Sequence, residues 1–286
     1  MKELVTDSVK PVVVRKVNAH SNAPFSDVLS VEEPLEIRIG YGNGTGRTQK
    51  SISVTMRTPG NDLELALGFL FTEGIITSYK DIKNVRHAGK CSLRKKNVVQ
   101  VDFVEDVVPR IHQSERNFYT TSSCGVCGKS SIQSIKTVSP FHQQEKPRLE
   151  LHKDILCQLR EKLRTAQNGF TATGGIHASG LFTMSGELAS LREDVGRHNA
   201  LDKLIGDALT NNALPLHRHI LLLSGRASFE LIQKAAMAGI SIIIAIGAPS
   251  SLAVELAEEL DITLIGFLKE DSFNIYHQSK ATEFMS

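Results

Sequence analysis

Apolar and polar positions alternate with a period of two over residues 34–39, where Leu35, Ile37 and Ile39 stand opposite Glu36 and Arg38. That period belongs to a half-buried strand. A second alternating run, Ile52, Val54 and Met56, follows a connection holding Gly40, Gly42, Gly44 and Gly46. Two such runs around a glycine-rich link predict a hairpin. The glycines resemble a phosphate loop only superficially, because no Lys-Ser/Thr pair follows and the next element is a strand. Asn61 is placed to cap a helix carrying Leu63, Leu65, Leu67, Phe69 and Leu70, ended by Gly74. A strand over 98–104 and a polar stretch over 109–116 close this first unit, with a boundary near residue 115. Residues 1–30 are polar and aperiodic and read as a loosely held lead-in.

Helical spacing returns at Ile155, Leu156, Leu159 and Leu163. Beyond it, short apolar runs (180–184, 188–192, 220–223, 240–246, 262–268) are separated by helical patterns over 199–209, 229–238 and 251–260. Continuous apolar strands joined by helical crossovers predict a parallel sheet covered on both faces. The expected architecture is an α/β unit over 116–286 behind a smaller α+β unit over 1–115.

Composition narrows the partners more than the fold. Of 286 residues, 41% are apolar and 22% charged, which excludes a disordered chain. The formal charge of +2 gives no footprint of general nucleic-acid binding, so anion recognition must be local. No apolar run approaches the ~18 residues of a membrane span. Near the start, only Val12, Val13 and Val14 form an apolar block, too short for a signal-peptide core, so a cytoplasmic location is expected.

Four cysteines make no disulfide framework, but Cys124 and Cys127 form one close pair. They lie in Ser123-Cys124-Gly125-Val126-Cys127-Gly128-Lys129, a pliable loop before a possible helix over 129–138. A helix N-terminus and the Lys129 charge both favour thiolates. A zinc site, a redox pair and a nucleophilic or sulfur-carrying cysteine all remain open. Zinc would need histidines to complete four ligands, because Cys91 and Cys157 are isolated. A zinc nucleobase deaminase is excluded: none of the ten histidines is followed two positions on by glutamate, and Ser123 stands where its proline belongs.

Three further clusters carry chemistry. Thr173-Gly174-Gly175-Ile176-His177 combines glycines at a strand entry with an imidazole, and is either a ligand approach or a plain turn. Arg192-Glu193-Asp194-Val195-Gly196-Arg197-His198-Asn199 packs acid, base and imidazole at a helix start, as a ligand site or a capping network would. Ser224-Gly225-Arg226-Ala227-Ser228 and Gly247-Ala248-Pro249-Ser250-Ser251 each run from a strand end into a helix, twin cradles for a phosphate-bearing ligand.

Together with Met56-Arg57-Thr58-Pro59-Gly60 and the run over 266–276, these segments resemble the FdhD family of formate dehydrogenase accessory sulfurtransferases. The similarity covers most of the chain. It implies a cytidine-deaminase-like domain without the deaminase zinc, and no structural metal. It implies that Cys124 receives sulfur from a cysteine desulfurase as a persulfide. Cys127 then either releases that sulfur as sulfide or supports the loop. The sulfur goes to a molybdenum or tungsten bis-molybdopterin guanine dinucleotide, which is delivered to formate dehydrogenase. The family's guanine-dinucleotide segment falls here on Phe267, Leu268, Lys269, Glu270, Asp271 and Ser272. Many relatives have glycines and an arginine where this chain has Glu270, Asp271 and Ser272, so Phe267 and Lys269 carry over best. A homodimer, with no nucleic-acid or membrane partner, is expected. The non-catalytic alternative is a chaperone that hands over the cofactor without moving sulfur.

Overall fold

The computed structural model describes residues 7–88, 96–110, 139–141 and 144–285. The first element pair is a correction. Residues 9–30 are no loose lead-in but a ten-rung antiparallel ribbon of β1 (Val9–Asn18) and β2 (Ser21–Ser30). Its apolar residues are scattered among charges and hydroxyls, and Val13 and Val17 stay 77% and 67% exposed. No buried face forms, so no periodicity marks the strands in the sequence.

The next sheet has the order β4-β3-β6-β5. It is built from β3 (Glu33–Tyr41), β4 (Thr48–Arg57), β5 (Ile82–His87) and β6 (Val98–Phe103), with α1 (Asp62–Thr72) packed on it. The hairpin of β3 and β4 forms as the alternation predicts. A bulge opposite Ile37 and Arg38 shifts the register of β4, so Ile52 is buried while Val54 and Met56 face solvent. Asn61 stands at the start of α1 with φ 57°, and its side chain makes no capping bond. Gly74, at φ 71°, ends the helix as expected.

Beyond this come β7 (Leu149–His152), α2 (Lys153–Ala166), α3 (Asn168–Thr173), β8 (His177–Thr183), β9 (Leu188–Asp194) and α4 (Arg197–Thr210). β10 (His219–Leu223), α5 (Phe229–Met237), β11 (Ile242–Ala245), α6 (Ser251–Glu259), β12 (Thr263–Gly266), β13 (Asn274–His277) and β14 (Thr282–Met285) follow. The large sheet runs β13-β12-β11-β10-β8-β9. It is mixed, not wholly parallel: β10, β11 and β12 are parallel, whereas β8 opposes both β9 and β10, and β13 opposes β12. β8 and β9 are joined by the tight turn at Gly186, too short for a parallel crossover.

Both faces are covered. Ile220, Leu222, Ile242 and Ile244 pack with Leu156, Leu159 and Leu163 of α2, while Leu221, Leu223, Ile243 and Ala245 face the core of α4, α5 and α6. Burial on both sides explains the unbroken apolar runs. The second cluster continues through α1 into Leu35, Ile37 and Val101 of the smaller sheet. α1 crosses α4 at Gly68 and Gly206: a methyl on Gly68 would strike the Asp202 carbonyl, and one on Gly206 the Glu64 carbonyl. Among the described residues no helix is long and apolar enough to cross a membrane.

Candidate functional site

β9, β10, β11 and β12 all end at one edge of the large sheet, where α4, α5 and α6 begin. Helix N-termini and strand ends therefore converge there, as they do where open α/β sheets take ligands. β8 runs the opposite way, so its first residue, His177, reaches the same edge. Three clusters that are separate in sequence are thus brought together.

The loops behind these strands are zipped side by side. The Gly247 amide donates to the Gly225 carbonyl at 3.0 Å, and the Phe267 amide to the Gly247 carbonyl at 3.1 Å. The Ser250 amide donates to Ala227 at 3.0 Å. The Ser250 hydroxyl accepts the Ala253 amide and caps α6, so it is engaged in the fold. The Ser228 hydroxyl makes no capping bond and lies 3.5 Å from Nε2 of His198. That same Nε2 is 3.2 Å from Glu230, which bridges the starts of α4 and α5. Both partners meet one ring nitrogen, so this is not a relay through the imidazole. Burial lowers the His177 pKa, helped by Arg197 and opposed by Asp194, so its ring is neutral near pH 7.

The segment after β12 separates by position. Phe267 holds φ 54° and is 42% exposed, an unusual backbone for a bulky residue. The Leu268 side chain, 1% exposed, turns into the core, and its amide donates to Ala245. Lys269, Glu270, Asp271 and Ser272 form an exposed turn closed by the Lys269 amide on the Ser272 carbonyl at 2.8 Å. Ser272 also donates to Asp271 at 2.9 Å.

The dense polar run at 192–203 is resolved largely into structure. Arg192 pairs with Glu64 and Asp207, and Glu193 accepts the Gly169 and Phe170 amides. Asp194 and Lys203 form a buried pair that grips Thr58. Arg197 and His198 remain at the edge. The Glu230 contact is not legible in the local pattern, because Glu230 lies on a different helix from His198. Cys124, Cys127 and Lys129 lie outside the described residues. Among the described residues no three His, Cys, Asp or Glu stand together as metal ligands.

A family model described as FdhD/NarQ matches residues 30–283. The chain is 47% identical, over 275 residues, to the sulfur carrier protein FdhD of Streptomyces avermitilis, covering 95% of this chain and 94% of the relative. It is 42% identical to the sulfur carrier protein FdhD of Sulfurisphaera tokodaii, covering 94% and 96%. Its fold is similar to a crystal structure described as a formate dehydrogenase accessory protein from Desulfotalea psychrophila. The TM-score is 0.69 at 21% identity, covering 96% of this chain and 98% of the other.

Proposed function

The chain belongs to the FdhD/NarQ family, and on that premise we propose that it is a sulfur carrier serving a formate dehydrogenase. The observation that carries the proposal is 47% identity across 95% of the chain with a protein named for sulfur carriage. In this scheme the Cys124 thiolate attacks the outer sulfur of a persulfide on a cysteine desulfurase. The donor's S–S bond breaks, its cysteine leaves as thiolate, and the outer sulfur is left on Cys124 as a persulfide. The glycines and the Lys129 charge beside Cys124 favour the thiolate that this step needs. By the family resemblance, residues 116–286 are further proposed as a cytidine-deaminase-like domain, and the protein as a homodimer.

The recipient is the molybdenum or tungsten bis-guanine-dinucleotide cofactor, held as substrate at the edge where α4, α5 and α6 begin. Phe267 offers an exposed ring to guanine, and Lys269 a charge to phosphate. Three helix starts support an anionic ligand here, whereas Glu270 and Asp271 disfavour one unless turned aside.

Intact mass measured after incubation with a cysteine desulfurase and cysteine tests the transfer. Wild type should gain one sulfur atom, and Cys124→Ser should gain none while melting like wild type. A Cys124→Ser variant that still activates formate dehydrogenase would overturn the persulfide and leave the chaperone. Stoichiometric zinc bound through both cysteines would overturn it in favour of a structural loop. Delivery that survives Cys127→Ala would limit Cys127 to shaping the loop.

A further inference from the structure

A two-stranded hairpin is marginally stable in water unless a partner covers one of its faces. The ribbon of β1 and β2 is ten rungs long. Its base is tied to α3 by the Ser30 and Thr173 hydroxyls at 2.7 Å, while residues 15–27 are exposed throughout. Extension by a further strand is not open to it. A proline fits a ladder where its nitrogen points away from the paired strand, so Pro11 and Pro24 each interrupt the outward donors of one edge. A partner must therefore take a face.

The two faces differ. On one, the Lys16 ammonium lies 4.7 Å from the centre of the Phe25 ring and shields it. On the other, Val13 and Val17 are 77% and 67% exposed with Arg15 between them. These three stand opposite Ser26, Asn22 and Pro24 and span about 14 Å. β1 also carries Lys10 and Lys16 and has no carboxylate, so two such ribbons laid together would repel. The occupant is acidic.

Among the described helices, α6 fits. It holds Glu255, Glu258 and Glu259 and no lysine or arginine. Leu252, 48% exposed, joins Glu255 and Glu258 on its solvent side. Its nine residues rise about 13 Å, close to the span from Val13 to Val17. The carboxylates of α1 and α4 are engaged within the fold: Asp62 with Arg57, Glu64 and Asp207 with Arg192, and Asp202 with Lys234. Those of α2 lie among its own lysines and arginines. Within one chain the ribbon and α6 are far apart. α3, at the ribbon's base, bonds to Glu193 of β9, whereas α6 packs on β12 and β13 at the other end of the large sheet.

Resting on the homodimer proposed above, we propose that each ribbon docks on α6 of the second copy. Arg15 lies against Glu255 and Glu258 of the partner subunit, and the flanking valines cover the partner's Leu252. The contact is made twice, once in each direction, which closes the pair about a twofold axis.

Sedimentation of the full chain tests this with Arg15→Glu and Glu255→Arg. Each variant alone should weaken the dimer about tenfold or more, since like charges then meet, and should melt like wild type. Mixed in equal amounts, the two should pair almost as tightly as wild type, because each ribbon then meets an opposite charge on the other chain's helix. A wild-type dimer matched in affinity by both single variants overturns the ribbon contact and leaves the homodimer. Wild type that stays monomeric at its highest soluble concentration overturns both. A chain beginning at residue 31 that still dimerises but no longer takes sulfur from the desulfurase also overturns the contact, and assigns the ribbon to the donor.

Discussion

Lys203 places a full charge where its side chain is 2% exposed, against Asp194 at 0%. Its ammonium contacts Asp194 at 2.7 Å, the Thr58 carbonyl at 2.9 Å and the Glu193 carbonyl at 3.3 Å, which uses all three protons. Asp194 in turn accepts the amides of Gly196 and Thr58 and the Asn199 side chain. A pair this well satisfied offsets its desolvation, but a single remaining member cannot. Lys203→Met should therefore cost about 3–5 kcal/mol in urea unfolding, and a loss under about 1 kcal/mol would show that water reaches Asp194. Phe267 carries the opposite balance, since its left-handed backbone is strain that glycine would relieve. Phe267→Gly should be no less stable than wild type, gaining up to about 1 kcal/mol, because relief of roughly 1–2 kcal/mol exceeds glycine's entropic cost. The same variant should lose guanosine diphosphate binding. Lower stability together with retained binding would remove Phe267 from the site.

Between elements, the crossing of α1 and α4 decides how the smaller sheet joins the larger. Gly68 lies inside α1, where alanine would gain about 1 kcal/mol of helix propensity. Its methyl would meet backbone that belongs to a buried helix and cannot move aside. Overpacking of this kind costs about 1–3 kcal/mol, so Gly68→Ala should lower the melting temperature despite the better helix former. A higher melting temperature would mean that the helices separate freely. The ribbon of β1 and β2 is the contrary case. None of its residues belongs to either core cluster, so a chain beginning at residue 31 should keep the melting temperature of the full chain within a few degrees. A large loss would show the ribbon bracing the core through its Ser30–Thr173 contact.

Across the whole molecule, four histidines share one direction. Burial is the largest cause lowering the pKa of His87, His177, His217 and His219. The unfolded chain takes up these protons near pH 6.5 while the folded one resists, so the unfolded state binds more protons there. Stability is full above that pH and falls as pH drops below it. Glu36, held low by Arg38, and Asp261, whose hydroxyl, amide and charge partners outweigh burial, add a further loss nearer pH 4. Melting temperatures should therefore hold from pH 7.5 to about 6.5 and decline from there to pH 5. A flat profile would indicate that these imidazoles remain solvated in the folded state.

Much of the fold is written locally. The periods of Leu35, Ile37 and Ile39 and of Leu156, Leu159 and Leu163, with a stop at Gly74, place strands and helices because each reports only its own buried face. The glycine loops at 224–228 and 247–251 likewise announce strand-to-helix turns. What neighbouring strands do to one another is not local. The antiparallel course of β8, the bulge that exposes Val54 and Met56, and the ribbon with no buried face depend on partners distant in sequence. The polar run at 192–203 shows the division most clearly. Its composition indicates a site, yet only packing against α1 and Thr58 commits Arg192, Asp194 and Lys203 to structure and leaves Arg197 and His198 at the edge. Charge type is fixed by the residue, but the partner that neutralises it is chosen by the tertiary fold, because electrostatic and packing contacts join whatever the chain brings close.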